Sequence, residues 1–451
     1  MDIFVGIVVG LLVLMFLVTA HEFGHFIAAR RNGVRVPEFG IGFPPRAIAW
    51  IKDPKTHKWR KLKKSEWDKA GIMKTVMSES EKPAKEQPKK AQKTTVTVKN
   101  KEKLVADGMV FSLNWLPIGG FCQMDGESAE DERPGTFGHA SFWKKTKILF
   151  AGVAMNWLVA WIILTILAWT GMPQFLEGQF TLGVDARTEG GGVTVAYVIE
   201  DSPAEKAGFQ EGDKILSAGD TKLTYPSDVN DYNDAHAGEE VVYTVERMRP
   251  SDCDCVQEPC ECPEELGEVK LTAKLNDESV RPLLGVGMSS SQVMTYSTWS
   301  APIVGAGITL QITGETFKGV GELLWNLVTG TGRLFSFDEA TRESGQEALS
   351  YVGDSVSGPV GIIGVLFPSF TAAGPTNLAF LTALISISLA CMNVLPIPAL
   401  DGGRWLLIAI YKLRHKKLTK EKEQRIVSRA MMVLLVLLAV VTILDITRFF
   451  R

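Results

Sequence analysis

His21-Glu22-Phe23-Gly24-His25 sets two imidazoles four residues apart with a carboxylate between them. On a helix that spacing puts both rings on one face, where they can grip one metal ion, and Glu22 stands ready to activate water as general base. The chain has only six histidines, so a chance match is uncommon. The plainer alternatives are a histidine pair meeting lipid headgroups or a proton relay in a membrane. A catalytic zinc ion takes three protein ligands and keeps a position open. Asp401 is the candidate third ligand, in the string Asn393-Val394-Leu395-Pro396-Ile397-Pro398-Ala399-Leu400-Asp401-Gly402-Gly403. Two prolines prevent a regular helix from running through this string, and the glycines allow a tight turn after the acid. A simple helix cap would account for Asp401 and Gly402 but not for the rest.

These residues need elements to hold them. The chain has 451 residues, 46% hydrophobic and 22% charged, with a formal net charge of −3. Such averages exclude a disordered chain, a collagen-like repeat and a small disulfide scaffold, and they give no support to nucleic-acid binding. A positive mean hydropathy of +0.09 beside so many charges implies that apolar and charged residues are segregated. Residues 3–20 form an uncharged run of 18, long enough for a membrane span. Its basic residues follow it, which argues against a cleaved signal peptide. Further apolar runs occupy residues 148–170, Leu378 to Pro396 and Ala430 to Leu444.

Charge orients the four spans. Residues 30–147 hold 25 Lys and Arg, and the short segment 404–429 holds nine. Residues 171–376 hold 12 against 31 Asp and Glu, a balance of −19. Lys and Arg gather on the cytoplasmic side. The expectation is therefore a plasma-membrane protein with both termini outside, a large outer segment, and His21, Asn393 and Asp401 near the cytoplasmic ends of two spans that run the same way. Residues 303–335 are apolar but interrupted by Glu315, Lys318 and Glu322, which predicts an amphipathic helix on the outer surface rather than a fifth span.

Expected domains follow. Residues 1–30 form the first span with the histidine motif, and 31–145 form a membrane-associated β region on the cytoplasmic side. A Lys-rich solvated insertion occupies 52–103 within it. The second span is 146–171, an outer β domain covers 190–290, and outer-surface helices fill 299–375. The third span with the Asn393–Gly403 string is 376–403, a basic cytoplasmic segment is 404–429, and the fourth span is 430–447. In the outer domain Val193–Ile199 reads as a strand. Ser202-Pro203 starts a helix that Gly208 ends. The string SPAEKAGFQEGDKIL resembles the PDZ family, whose members capture peptides by strand addition. Cys253, Cys255, Cys260 and Cys262 read as a loop stapled by two disulfides, their spacing being unusual for zinc.

Taken together, HEFGH in the first span, one PDZ-like unit and NVLPIPALDGG resemble the site-2 protease family of intramembrane zinc metalloproteases, in particular its bacterial regulator-of-sigma-E protease branch. Phe39-Gly40-Ile41-Gly42-Phe43, Leu116–Phe121, Ala151–Asn156 and Gly358-Pro359-Val360-Gly361 extend the likeness along nearly the whole chain. The resemblance implies a polytopic α-helical membrane protein of four transmembrane helices, with a membrane-associated β-hairpin region and one extracytoplasmic PDZ-like β domain. It implies one Zn2+ per chain, held by His21, His25 and Asp401, with Glu22 as base and Asn393 holding substrate or stabilising the oxyanion. Substrate contacts would come from Phe39, Gly40, Ile41, Gly42, Phe43, Gly119, Gly120, Phe121, Pro396 and Pro398. The expected substrates are single-span membrane proteins already trimmed on the outer side. Three departures stand out: no proline follows Gly152, the Lys-rich insertion is long, and only one PDZ-like unit is present. The rival classes are a membrane-anchored PDZ scaffold with a vestigial zinc site and an ion transporter, the latter disfavoured by the lack of paired repeats.

Overall fold

The computed structural model describes residues 2–52, 56–69, 108–127, 131, 133–176, 178–189, 192–250, 264–277, 279–290, 293–355 and 358–449. The cysteine cluster and most of the Lys-rich insertion lie outside these residues. The chain divides into two compact units, residues 1–167 with 301–451 and residues 168–300.

The first unit begins with α1 (Asp2–Arg31), whose closing Arg30 and Arg31 suit the negative end of the helix dipole. At about 1.5 Å per residue this helix is long enough to cross a hydrocarbon core of about 30 Å. Strand β1 (Glu38–Lys52) follows, then β2 (Trp59–Lys61) and a 3-10 turn at Lys64–Lys69. Strand β3 (Met109–Gln123) completes a sheet in the order β2-β1-β3.

The β region is more than a two-armed hairpin. Residues 38–41 face 120–123 on one side and 110–113 on the other, while 48–52 face 109–113. Both long strands therefore double back, β1 at Pro44-Pro45 and β3 around Pro117. Proline cannot donate to a ladder, so it belongs at such breaks. Gly42 and Gly119, both at φ +74, supply conformations that other residues rarely adopt. The start of the Lys-rich insertion joins this sheet: Leu62 is buried with Ala49, Ile51 and Val110, and Arg46 donates to Trp67 O at 2.8 Å. The buried Arg46 also pairs with the buried Glu38 carboxylate, Nε to Oε1 being 3.0 Å.

α2 (Phe142–Thr170) is the second long apolar helix and leads into the second unit. There β4 (Met172–Pro173), β5 (Arg187–Glu189) and β12 (Met294–Tyr296) form a small sheet in the order β4-β12-β5. A larger sheet contains β6 (Val193–Val198), β7 (Lys214–Ala218), β8 (Thr221–Lys222), β9 (Glu240–Pro250), β10 (Glu264–Lys274) and β11 (Val286–Ser290). Its order is β10-β9-β7-β6-β11, with β8 on β7. Helices α3 (Pro203–Ala207) and α4 (Pro226–Ala235) accompany it. Ser202 caps α3, its Oγ accepting from Glu205 N at 3.2 Å, and Gly208 ends the helix at φ +83, as its sequence predicts. Val193, Val195, Ile215, Tyr243 and Val245 fill the core. Asp213, fully buried, pairs with both Arg247 Nε and Nη2 at 2.6 Å. That pairing pushes the Arg247 guanidinium above its usual range.

The chain returns to the first unit with α5 (Ala301–Leu334) and α6 (Glu339–Ser355). α5 buries Val304, Gly305, Ile308, Thr309 and Ile312 in its first half, where it packs on α2; Trp161 Nε1 donates to Pro302 O at 2.9 Å. Its second half exposes Leu324, Trp325 and Val328. α7 (Pro359–Ala372) is short and apolar, and packs on α1, where Gly6 and Gly10 leave room for Pro368 and Phe367. α8 (Pro375–Val394), α9 (Asp401–Leu413) and α10 (Lys420–Phe449) complete the unit. Among the described residues α1, α2, α8 and α10 are long and apolar enough to cross a membrane, so the protein is an integral membrane protein. The apolar side chains of α10, such as Met432, Val433 and Val436, point outward, the arrangement suited to lipid rather than water.

Candidate active site

α1 and the start of α9 bring the chemistry together. His21 and His25 are one turn apart and buried, their Nε2 atoms 3.1 Å from each other. Asp401 Oδ2 lies 3.1 Å from His21 Nε2 and 3.2 Å from His25 Nε2. Among the described residues these three form a group able to hold a metal ion. Ligand atoms around tetrahedral zinc with bonds of about 2.0–2.1 Å stand about 3.3 Å apart, close to the edges of this triangle. Three electron-rich atoms this near one another are stabilised by a cation among them, so the donor set fits zinc.

The imidazoles are oriented from behind. His25 Nδ1 contacts Ile148 O at 2.8 Å, which places its proton there and leaves the Nε2 lone pair for the metal. His21 Nδ1 is buried without a hydrogen-bond partner. Glycine makes the space. A Cβ on Gly152 would stand 2.6 Å from both His21 Cε1 and His25 Nε2, and one on Gly24 would collide with Ala151 O. α1 and α2 therefore meet backbone to backbone at the site. On the third side Gly402 and Gly403 let the Val394–Pro398 segment cross directly over the first turn of α9, since a Cβ on either would strike Val394 O or Ile397 O. The glycines of the DGG string thus serve packing as well as turning.

Glu22 is half-buried, and its Oε2 accepts a hydrogen bond from Cys122 N at 3.0 Å. Cys122 lies in the 120–123 arm, whose other neighbour is the 38–41 segment. Its own thiol is buried, and burial pushes that thiol well above the usual range, so it stays protonated.

The expected substrate contacts fall into different settings. Phe39 is buried and packs against Phe26 and Phe111 in the core beneath the site. Gly40, Gly42, Gly119 and Gly120 are buried, Ile41 and Phe121 are half-buried, and Phe43 is exposed. Gly119 and Gly120 lie against Val18 and Thr19 of α1. Asn393 is half-buried in the last turn of α8, Pro396 is exposed and Pro398 half-buried. Residue types alone did not single out Gly24, the Ile148 carbonyl or the Cys122 amide. Two of these act through backbone, and only the small residues of Ala151-Gly152 hinted at a close helix crossing.

A membrane protein with an HExxH metalloprotease site is the class this fold and geometry define. The sequence pattern of peptidase family M50 matches residues 9–98 and 90–438, and the chain belongs to that family, the site-2 proteases. It is 28% identical, over the full length of both chains, to a protein of Staphylococcus aureus (strain COL) provisionally named a zinc metalloprotease. It is 26% identical to the zinc metalloprotease RasP of Oceanobacillus iheyensis, covering 97% of this chain and 98% of the relative. The regulator of sigma-W protease RasP of Bacillus subtilis (strain 168) is also 26% identical, with 99% and 100% covered. The protein is a zinc metalloprotease.

Proposed function

We propose that the protein cleaves a peptide bond within the membrane-spanning segment of single-span proteins, with His21, His25 and Asp401 holding one zinc ion. The triangle of Nε2, Nε2 and Oδ2 atoms, with the neighbouring Glu22 carboxylate on the Cys122 amide, carries this reading. When bound, zinc supplies Lewis-acid activation of water and of the peptide carbonyl. Glu22 takes the proton of the attacking water and passes it to the leaving amine. Asn393 donates a hydrogen bond to the charge that develops on the carbonyl oxygen.

A helical substrate hides its carbonyls in hydrogen bonds and must unwind. The 120–123 arm offers replacement partners, because no strand pairs with its outer side among the described residues. A substrate strand added there competes with Glu22 for the Cys122 amide. Residues 190–290 act as a PDZ-like domain outside the membrane, admitting substrates that have lost their outer portion. Supporting this, β11 is an edge strand, and beside α4 lies a cavity of about 440 Å³ lined by Asn233, Leu284, Gly285 and Met288. The basic 404–429 segment supports a cytoplasmic position for the site, with both termini outside. Anti-sigma factors and signal-peptide remnants are the substrate classes of this reading, and the Bacillus subtilis relative is named a regulator of sigma-W protease.

Purified Glu22→Gln protein tests the proposal. It should retain zinc and lose cleavage of a single-span substrate, and full activity would overturn it.

A further inference from the structure

We propose that Arg404 is a positioning residue for Asp401, fixing the first turn of α9 against both the substrate-side β segment and α10. The inference rests on the reading of Asp401 as a zinc ligand. Arg404 follows Asp401 by three residues, so the two side chains leave nearly the same face of α9. Arg404 N donates to Leu400 O at 2.9 Å, within the turn that begins with Asp401. Its guanidinium reaches three neighbours at once. Nη2 donates to Glu127 O, Nε lies 3.3 Å from Glu423 Oε1, and Cζ sits 5.0 Å from the centroid of the Phe137 ring.

Each neighbour belongs to a different part of the unit. Glu127 closes the turn after the 120–123 arm, its Oε1 accepting from Met124 N at 3.1 Å, two residues beyond the amide that holds Glu22. Glu423 is mostly buried in the first turn of α10. Phe137 is fully buried in the core beneath the site. One side chain therefore ties the helix that carries Asp401 to the segment that holds Glu22 and to the last long helix. The planar fork of arginine serves a carbonyl and a carboxylate together, whereas lysine offers a single point charge. Residues that orient a metal ligand from behind affect affinity and turnover by about 10–100-fold.

The test uses the full-length protein in detergent and compares Arg404→Ala, Arg404→Lys and Glu423→Gln, with Asp401→Ala as reference. Zinc affinity is read by chelator competition, and kcat and KM are read on a single-span substrate. Arg404→Ala should weaken zinc binding and lower kcat by about 10–100-fold each, with KM changing less than about threefold. Arg404→Lys should recover part of both losses, and Glu423→Gln should fall between it and wild type. If Arg404→Ala does not fold, the lysine and glutamine variants carry the same comparison. Wild-type zinc affinity and kcat in the Arg404 variants, beside zinc loss in Asp401→Ala, overturn this inference alone. Retained zinc in Asp401→Ala overturns the ligand reading and this inference with it.

Discussion

The membrane unit and the β unit treat their buried polar groups in opposite ways. In residues 168–300 the buried Asp213 has its arginine, Tyr243 donates to Asn233, and Ser202 caps its helix. Ser297 alone in that unit is a described residue with a buried side-chain polar atom lacking a partner. In the membrane unit Thr19, His21, Asn156, Thr165, Thr371 and Asn377 all have such atoms. Burying an unpaired polar group costs more where water is absent, so each of these atoms carries a penalty that packing elsewhere in the unit must offset. The unpartnered atom of His21 is Nδ1, on the side of the ring away from the Nε2 that faces His25 and Asp401. The β unit is organised for stability and the membrane unit for reaction.

Substitutions in the two units should therefore separate into different readouts. The largest expected effect is Glu22→Gln, which should cut the cleavage rate by roughly a hundred- to ten-thousand-fold while leaving zinc content and thermal stability near wild type. Parallel losses of stability and activity would erase the contrast. Gly152→Ala comes next. Its new methyl group intrudes on both imidazoles, so zinc affinity measured by chelator competition should fall by at least about tenfold.

In the β unit, Asp213→Ala should destabilise by roughly 3 kcal/mol, because it strands the Arg247 charge, with zinc stoichiometry unchanged. Denaturant unfolding of the full chain measures the first and metal analysis the second. A zinc loss in this variant would show that the units are not independent.

The smallest effect concerns Asp185. Hydrogen bonds from Ser300, and from Thr298 beside it, hold its carboxyl at about 2, below its ordinary value of 3.8. A depressed native value stabilises the fold fully above the unfolded value and is lost as pH falls through the native one. Asp185→Asn should therefore flatten the acid limb of stability between about pH 4 and pH 2 and leave pH 7 cleavage alone. An unchanged acid limb would remove Asp185 from the account.

Sequence reading reached the site because each half carries its own local signature. His21 and Asp401 are 380 positions apart, yet HExxH and the Pro-Gly string are each legible within a dozen residues. The four spans were legible for the same reason, each being a continuous apolar run. What escaped was built from backbone or from long-range pairing. The Ile148 carbonyl and Cys122 amide leave no trace in residue type. The doubled strands require Glu38 to sit beside both Val110 and Gln123, a register that no local pattern encodes. Phe39, assigned to substrate contact by the family resemblance, has its side chain buried against Phe26 and Phe111, and residue types along a strand do not tell which face is covered. The buried first half of α5 shows the same limit: helical spacing revealed an apolar face without naming the helix against it.

The contact of Gly24 with Ala151 and of Gly152 with the imidazoles has one more consequence. With glycine at both points, the backbones of α1 and α2 set the room left for the two imidazoles, and no methyl group stands there to yield. If the imidazoles hold zinc, moving the same protein between membranes of different thickness, which act on helix tilt, should change its zinc affinity.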